Sequence, residues 1–220
     1  MARISGAIDE DLLLLVEHPP VVTLGRSAKH GHLLASPALL AARGVELHEV
    51  ERGGDVTFHG PGQLVGYAII DLKRHTQDLH WYLRQVEAAL IRALAPFGIA
   101  GERSQGFTGV WTGGRKVASI GVHARDWVTW HGFALNVTTD LSFFDLIVPC
   151  GISAVEMTSV ARELERGLGP WPHADDTSEG NLAQLARLHV VQGIAETFAL
   201  EPAVLDLSDL DRVAASILPA

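Results

Sequence analysis

The segment Arg52-Gly53-Gly54-Asp55-Val56-Thr57-Phe58-His59-Gly60-Pro61-Gly62-Gln63 constrains this chain more than any other. Glycines at that density let a backbone approach a ligand closely and expose its N–H groups. A single Gly pair is usually a tight structural loop. Here two Gly clusters bracket an alternating Val-Thr-Phe-His stretch headed by Arg52, so the segment reads as a binding loop. It runs straight into an apolar strand, Leu64–Leu72. The spacing does not fit Gly-x-x-x-x-Gly-Lys-Ser/Thr, which argues against a nucleotide P-loop.

Leu12–Val16 and Val21–Leu24 read as short strands parted by Glu17-His18-Pro19-Pro20, which no regular element tolerates. Ser36-Pro37 offers a cap and a first helical position, and Gly44 a stop, so Pro37–Arg43 is a short helix. Val45–Val50 returns as a strand. Asp78–Phe97 has helical periodicity, with Leu79, Leu83, Val86, Leu90 and Leu94 on one stripe and Gly98 as terminator. Gly109–Thr112 and Lys116–His123 form a hairpin candidate around Gly113-Gly114, and Trp127–Val137 follows as a strand. Thr158–Arg166 and Asn181–Leu200 read as helices separated by a loop over Gly167–Asp176. Runs of strands mixed with separate helices predict an α+β domain with a largely antiparallel or mixed sheet.

A chain of 220 residues fits one large domain, residues 1–220 with an acidic helical C-terminal part over 161–220, or one domain with a small appendage. Hydrophobic residues make up 47% and charged residues 20%, and no apolar run approaches the roughly 20 residues a bilayer span needs. The first residues lack the apolar stretch of a secretory signal, so a cytoplasmic protein is expected. Residues 1–130 carry 13 basic and 13 acidic side chains, whereas residues 131–220 carry 4 and 13, the whole of the −9 net charge. That balance excludes a nucleic-acid binder, which needs a basic face. An acidic partner, if there is one, is expected to approach the N-terminal part, where Arg26, Lys29, Arg52, Arg115, Lys116 and Arg125 lie; charge counting alone fits scattered solvated charges equally well.

Cys150 is the only cysteine and the one residue able to carry an acyl group as a thioester. A lone cysteine is ordinarily an inert buried residue, and reactivity needs access and a lowered pKa. Lys116 is the candidate activator. If it projects towards Cys150, its ammonium lowers the thiol pKa and its amine can shuttle protons. Eleven histidines invite a metal reading, but His30 and His32 are only i, i+2, and no His-Glu-x-x-His or paired-cysteine spacing occurs. No metal is expected. His59 stands out among the histidines because of its loop. No Gly-x-Ser-x-Gly elbow is present.

Five blocks in order resemble one family, the lipoyl(octanoyl) transferases. They are Glu17-His18-Pro19-Pro20-Val21-Val22-Thr23-Leu24-Gly25-Arg26, the Arg52–Val65 segment, Gly114-Arg115-Lys116-Val117-Ala118-Ser119-Ile120-Gly121, His131-Gly132-Phe133-Ala134-Leu135-Asn136-Val137 and Pro149-Cys150-Gly151-Ile152. The resemblance covers about Leu12 to Val160. It implies the biotin/lipoate protein ligase-like fold, a mixed sheet with packed helices. It also implies transfer of octanoyl from octanoyl-acyl carrier protein to a lysine of a lipoyl domain, in 2-oxoacid dehydrogenase subunits or the glycine-cleavage H protein. Cys150 is then the acyl-thioester nucleophile and Lys116 the residue that lowers its pKa. The implied substrate-binding segments are Arg52, Gly53, Gly54, Asp55, Val56, Thr57, Phe58 and His59, then Ser119, Ile120 and Gly121, then Gly132, Phe133 and Ala134. No cofactor, no metal and no membrane are implied.

Backbone N–H groups around Gly151 and in the Gly-rich loop are expected oxyanion donors. The family pattern carries an additional strand and helix before Leu12. This chain enters at what resembles the end of that helix, Ala2–Asp9, so either the start is placed late or the element is missing, and only in the second case is an uncovered sheet edge or core face expected. The alternatives are an ATP-dependent lipoate or biotin ligase of the same fold, which needs no nucleophilic cysteine, and a non-catalytic acyl- or lipoyl-domain-binding module.

Overall fold

A computed structural model describes residues 9–152, 154–167 and 179–205. The N-terminal residues 1–8 and most of the expected Gly167–Asp176 loop lie outside the described residues.

Among the described residues eight strands form two sheets. The larger has the order β1 (Leu12–Val16), β5 (Gln63–Ile69), β8 (Val128–Asn136), β7 (Arg115–Arg125), β6 (Val110–Thr112) and is antiparallel throughout. The smaller has the order β3 (Glu46–Glu49), β2 (Val21–Leu24), β4 (Val56–His59). In it β2 runs parallel to β3 and antiparallel to β4. The α+β class and mixed pairing are as the pattern predicts.

Helix α1 (Pro37–Ala42) starts where Ser36 Oγ accepts from the Leu39 N–H. Helix α2 (Leu79–Leu94) starts at Asp78, whose carboxylate accepts from the N–H groups of His80 and Trp81. Pro96 cannot continue α2, so the chain tightens into a 3-10 turn and leaves through Gly98 at φ 72°. Helices α3 (Val160–Glu165) and α4 (Glu179–Phe198) follow.

Several boundaries differ from the sequence pattern. Strand β5 stops at Ile69 because Asp71 caps a 3-10 turn, Leu72–Arg74, accepting from the Lys73 N–H. Trp127 is not in a strand. With Asp126 it forms the β7–β8 turn, both at positive φ, the same primed geometry that Gly113-Gly114 supplies between β6 and β7. A 3-10 helix at Leu141–Leu146, capped by Asp140, carried no periodic signal.

The main core lies between the large sheet and helices α2 and α4. Val86, Leu90 and Leu94 meet Leu182, Ala186 and Val190 over Ala68, Ile70 and Leu135. Leu79 is outside this stripe at 37% exposure, and Tyr82 takes its place, fully buried. Behind the small sheet a second core gathers Val22, Leu40, Val56, Phe58, Phe144 and Met157.

Candidate functional site

Strand alternation in β4 decides which of its residues reach a ligand. Val56 and Phe58 are 0% and 1% exposed and face the second core, where Phe58 stacks on Phe143 at 4.7 Å. Thr57 and His59 point the other way, into a cleft of about 560 Å³ bounded by both sheets. The expectation that all of Arg52–His59 contacts ligand is therefore corrected for Val56 and Phe58, which are core residues. The cleft is otherwise lined by Arg52, Gly53, Gly54, Asp55, Ser119, Ile120, Gly121, Gly132, Phe133, Ala134 and Cys150. Its walls also hold Val21, Val65, Val122 and Ile152, which makes them largely apolar.

The Gly-rich loop lies directly on β7. The Gly53 N–H donates to Val122 O at 2.9 Å, and a Cβ on Gly121 would sit 2.8 Å from Gly53 O. Any side chain there would lift the loop from the sheet.

Lys116 is fully buried and does not line the cleft. It reaches Cys150 from behind, its Nζ donating to Sγ at 3.1 Å. The two residues meet because the chain after Cys150 returns alongside β7. The Lys116 N–H donates to Glu156 O at 2.8 Å, and Lys116 O accepts from the Thr158 N–H at 2.9 Å. The lysine stem passes Gly109, where a Cβ would lie 2.9 Å from Lys116 Cε. Buried Glu87 holds Gly109 by accepting its N–H at 3.1 Å, and is itself paired with Arg84 and Arg103. The ammonium also lies 5.0 Å from the centre of the Trp111 ring. Among the described residues no carboxylate forms an ion pair with Lys116.

Cys150 is half-buried in a 3-10 turn, Pro149–Gly151, with φ 55° and ψ 21°, and Gly151 follows at φ 67°. Two left-handed residues in succession turn the sulfur towards β7, where Ser119 Oγ is 3.7 Å away. The turn rests on a pair that sequence reasoning missed: His32 Nδ1 and Asp55 Oδ2 lie 2.5 Å apart, directly against Gly151. Backbone tethers complete the seat, since Val148 N–H donates to His32 O at 2.7 Å. The Gly151 and Ile152 N–H groups donate to Val148 O and Pro149 O. They are committed to the turn, and this corrects the expectation that N–H groups at Gly151 serve as oxyanion donors.

Arg52 is tied down by Thr23, donating from Nη2 to its carbonyl and hydroxyl, each at 2.8 Å. Burial lowers its pKa, and the charges of Cys150 and Asp55 oppose that. At the other side of the cleft, His59 Nδ1 lies 2.8 Å from Gln63 Oε1. Gln63 Nε2 donates to Phe58 O and Asn136 Oδ1, and Asn136 Nδ2 donates to Thr158 O. The amide oxygen of Gln63 must then accept, so His59 carries its proton on Nδ1. Burial pushes His59 down to about 4, the Gln63 bond opposes the shift, and Arg52, His18 and His131 add to it. His131 is also lowered, by burial first and by Arg52 next. His18 and Tyr67 join at 2.7 Å beside His59 and had not been singled out individually. Among the described residues no three His, Cys, Asp or Glu side chains converge as a metal-binding group, and no helix is long and apolar enough to cross a membrane.

The family model of the lipoyl protein ligase A/B catalytic domain matches residues 1–174. An octanoyltransferase of Gloeobacter violaceus is 57% identical over 69% of this chain and 66% of its own length. One of Chloroflexus aurantiacus is 50% identical over 88% of this chain and 82% of its own. Among solved structures, lipoate-protein ligase A bound with ATP superposes with a TM-score of 0.70 at 14% identity, over 97% of this chain and 85% of that one. A bi-partite lipoate protein ligase from Thermoplasma acidophilum gives 0.64 at 15%, over 94% and 79%. At such identities the structures speak for the fold alone, and the fold is that of the lipoate protein ligases. With sequence matches of this extent, the chain belongs to the lipoyl protein ligase A/B catalytic domain family.

Proposed function

We propose that this chain is an octanoyltransferase that moves octanoyl from octanoyl-acyl carrier protein to a lysine of a lipoyl domain through a thioester on Cys150. The acceptors are the lipoyl domains of 2-oxoacid dehydrogenase subunits and the glycine-cleavage H protein. Residues 1–220 act as one catalytic domain, in the cytoplasm, where a lone thiol stays reduced.

The observation that carries this reading is the 3.1 Å contact between Lys116 Nζ and Cys150 Sγ at the wall of an apolar cleft. A buried ammonium needs an anion, and the group within reach is the sulfur. The charge-assisted bond holds that sulfur as a thiolate nucleophile.

The thiolate attacks the carrier thioester, forming a new C–S bond. The intermediate expels the carrier thiolate, which takes a proton from the Lys116 ammonium. The neutral Lys116 amine then accepts a proton from the incoming lysine ammonium, whose nitrogen attacks the acyl-enzyme. Collapse breaks the C–S bond and returns the Cys150 thiolate beside the Lys116 ammonium, and the remaining amine proton passes to solvent. Thioester exchange is nearly isoenergetic and amide formation is downhill, so the cycle needs no ATP. The C8 chain gains about 0.8 kcal/mol per buried methylene.

Intact mass spectrometry after mixing with octanoyl-acyl carrier protein tests this. The expected result is a gain of one octanoyl group, removed by hydroxylamine and absent in Cys150→Ser. No adduct under single-turnover conditions sinks the mechanism. An ATP-dependent ligase would tolerate Cys150→Ser.

A further inference from the structure

Cys150 is half-buried and lines the cleft, so a small peroxide entering the cleft meets the sulfur that Lys116 holds as a thiolate. Thiolate character combined with access is what makes a cysteine oxidisable. The first product is a sulfenic acid, and its fate is set by the groups within reach.

A sulfenic acid is trapped by a second thiol or by a nitrogen, and otherwise goes on to the irreversible sulfinic acid. This chain has no second cysteine. The backbone nitrogens that follow the sulfur are engaged in its turn: the Gly151 N–H donates to Val148 O and the Ile152 N–H to Pro149 O, each at 3.0 Å. Ser119 Oγ, 3.7 Å from Sγ, is a neutral hydroxyl and a weak nucleophile. The Lys116 amine is nearer, at 3.1 Å.

Oxidation itself readies that amine. Lys116 is 0% exposed, and among the described residues no carboxylate forms an ion pair with it. Its neighbours are the sulfur and the Trp111 ring at 5.0 Å. When the thiolate attacks a peroxide oxygen, an S–O bond forms, the O–O bond breaks, and the departing hydroxide leaves as water with a proton from the Lys116 ammonium. The transfer is favoured because the sulfur is no longer an anion, and a ring face does not replace the anion that a buried ammonium needs. A neutral amine then stands beside the sulfenic acid.

We infer that Lys116 traps oxidised Cys150 as a sulfenamide, a reversible Sγ–Nζ crosslink that suspends acyl transfer and shields the sulfur from further oxidation. The amine nitrogen attacks the sulfenyl sulfur. The S–N bond forms, the S–O bond breaks, and the hydroxyl leaves with one amine proton as water. Rotations of the lysine's flexible four-carbon stem close the gap. A thiol reductant reverses the crosslink: it captures Sγ as a mixed disulfide while its proton returns to the amine, and a second thiol releases the Cys150 thiolate. The inference rests on Cys150 and Lys116 being the nucleophile and its activator.

The test treats the full chain with hydrogen peroxide and follows it by intact mass, peptide mapping and octanoylation of Cys150. The expected product is about 2 Da lighter than the reduced protein, the loss of two hydrogens. Its peptides containing Lys116 and Cys150 are joined, its octanoylation is lost in step with the joining, and dithiothreitol reverses both. Lys116→Arg keeps a cation that does not give up its proton. It is expected to reach the sulfinic acid, about 32 Da heavier, and to stay there after dithiothreitol. If that variant fails to fold, the peptide map of the native protein still decides. Unlinked peptides in the native protein overturn the inference, whether its mass is unchanged or about 16 or 32 Da higher. So does a linked product about 14 Da heavier, which has kept an oxygen between the two atoms, or a variant that dithiothreitol restores as fully as the native protein. A native protein that octanoyl-acyl carrier protein acylates but peroxide never crosslinks loses the crosslink alone. One that is not acylated even before oxidation loses the reading of Cys150 as acyl carrier.

Discussion

A methyl group added at Gly151 would lie 2.6 Å from Asp55 Oδ2 and 3.0 Å from the His32 ring, at a φ of 67°. Either Asp55 and His32 part or the turn carrying Cys150 moves. Gly151→Ala is therefore expected to slow octanoylation of Cys150 by about a hundredfold, the usual cost of a misplacement near 1 Å. Gly114→Ala is the matched control. That position is also left-handed, at φ 77°, but a Cβ there meets nothing within 4 Å. Both variants should lose stability to left-handed strain, about 1–3 kcal/mol, while only Gly151→Ala slows acylation in a single-turnover assay. Equal slowing in both would mean that the His32–Asp55 pair does not seat Cys150. None of this was legible from spacing. His32 and Asp55 are 23 residues apart and Lys116 and Cys150 are 34 apart. The second pair meets through the backbone bridge of Lys116 with Met157, a contact that no local pattern encodes.

Strand β4 shows what a pattern can and cannot reveal. The alternation Val-Thr-Phe-His was visible, and glycines on both sides drew it into a loop reading. Paired with β2, it is a strand with one face in a core and the other in the cleft. Local signals did locate β1, β2 and α1, where capping and alternation are properties of neighbouring residues. The partition of eight strands into two sheets depends on pairings between distant segments and was not legible. Half-buried His59 at the end of β4 has a consequence for acid stability. His59 is held neutral, with its pKa lowered from 6.5 to about 4 by burial. The unfolded chain binds the extra proton throughout that window, so the contribution is complete above pH 6.5 and lost as pH falls to about 4. Its size is up to about 3 kcal/mol. Urea unfolding at pH 7 and pH 4 should show the native protein losing more stability than His59→Asn by an amount of that order. A constant difference between the two proteins would refute the burial of a neutral imidazole.

At the scale of the whole molecule, helices α2 and α4 cover one face of the large sheet and leave the other to the cleft. Charge is divided too. The N-terminal 130 residues, which supply most of the cleft wall, are electrically neutral, and the acidic excess belongs to residues 131–220. If the donor is the acidic carrier proposed above, a protein of net charge −9 repels it at long range, and its approach would depend on local cations near the cleft. Arg26 and Lys29 are exposed there. Their segment is hung on the Gly-rich loop, the Arg26 N–H donating to Arg52 O and the Lys29 N–H to Asp55 Oδ1. Reversing both charges with Arg26→Glu and Lys29→Glu is expected to raise KM for octanoyl-acyl carrier protein about tenfold at low salt. The rate with a small octanoyl thioester, which has no acidic body to steer, should be unchanged. The defect should shrink as ionic strength rises and the Debye length falls from about 10 Å at 0.1 M to about 3 Å at 1 M. Equal losses on both donors, or a defect that ignores salt, would mean the pair supports the loop rather than the docking of the carrier.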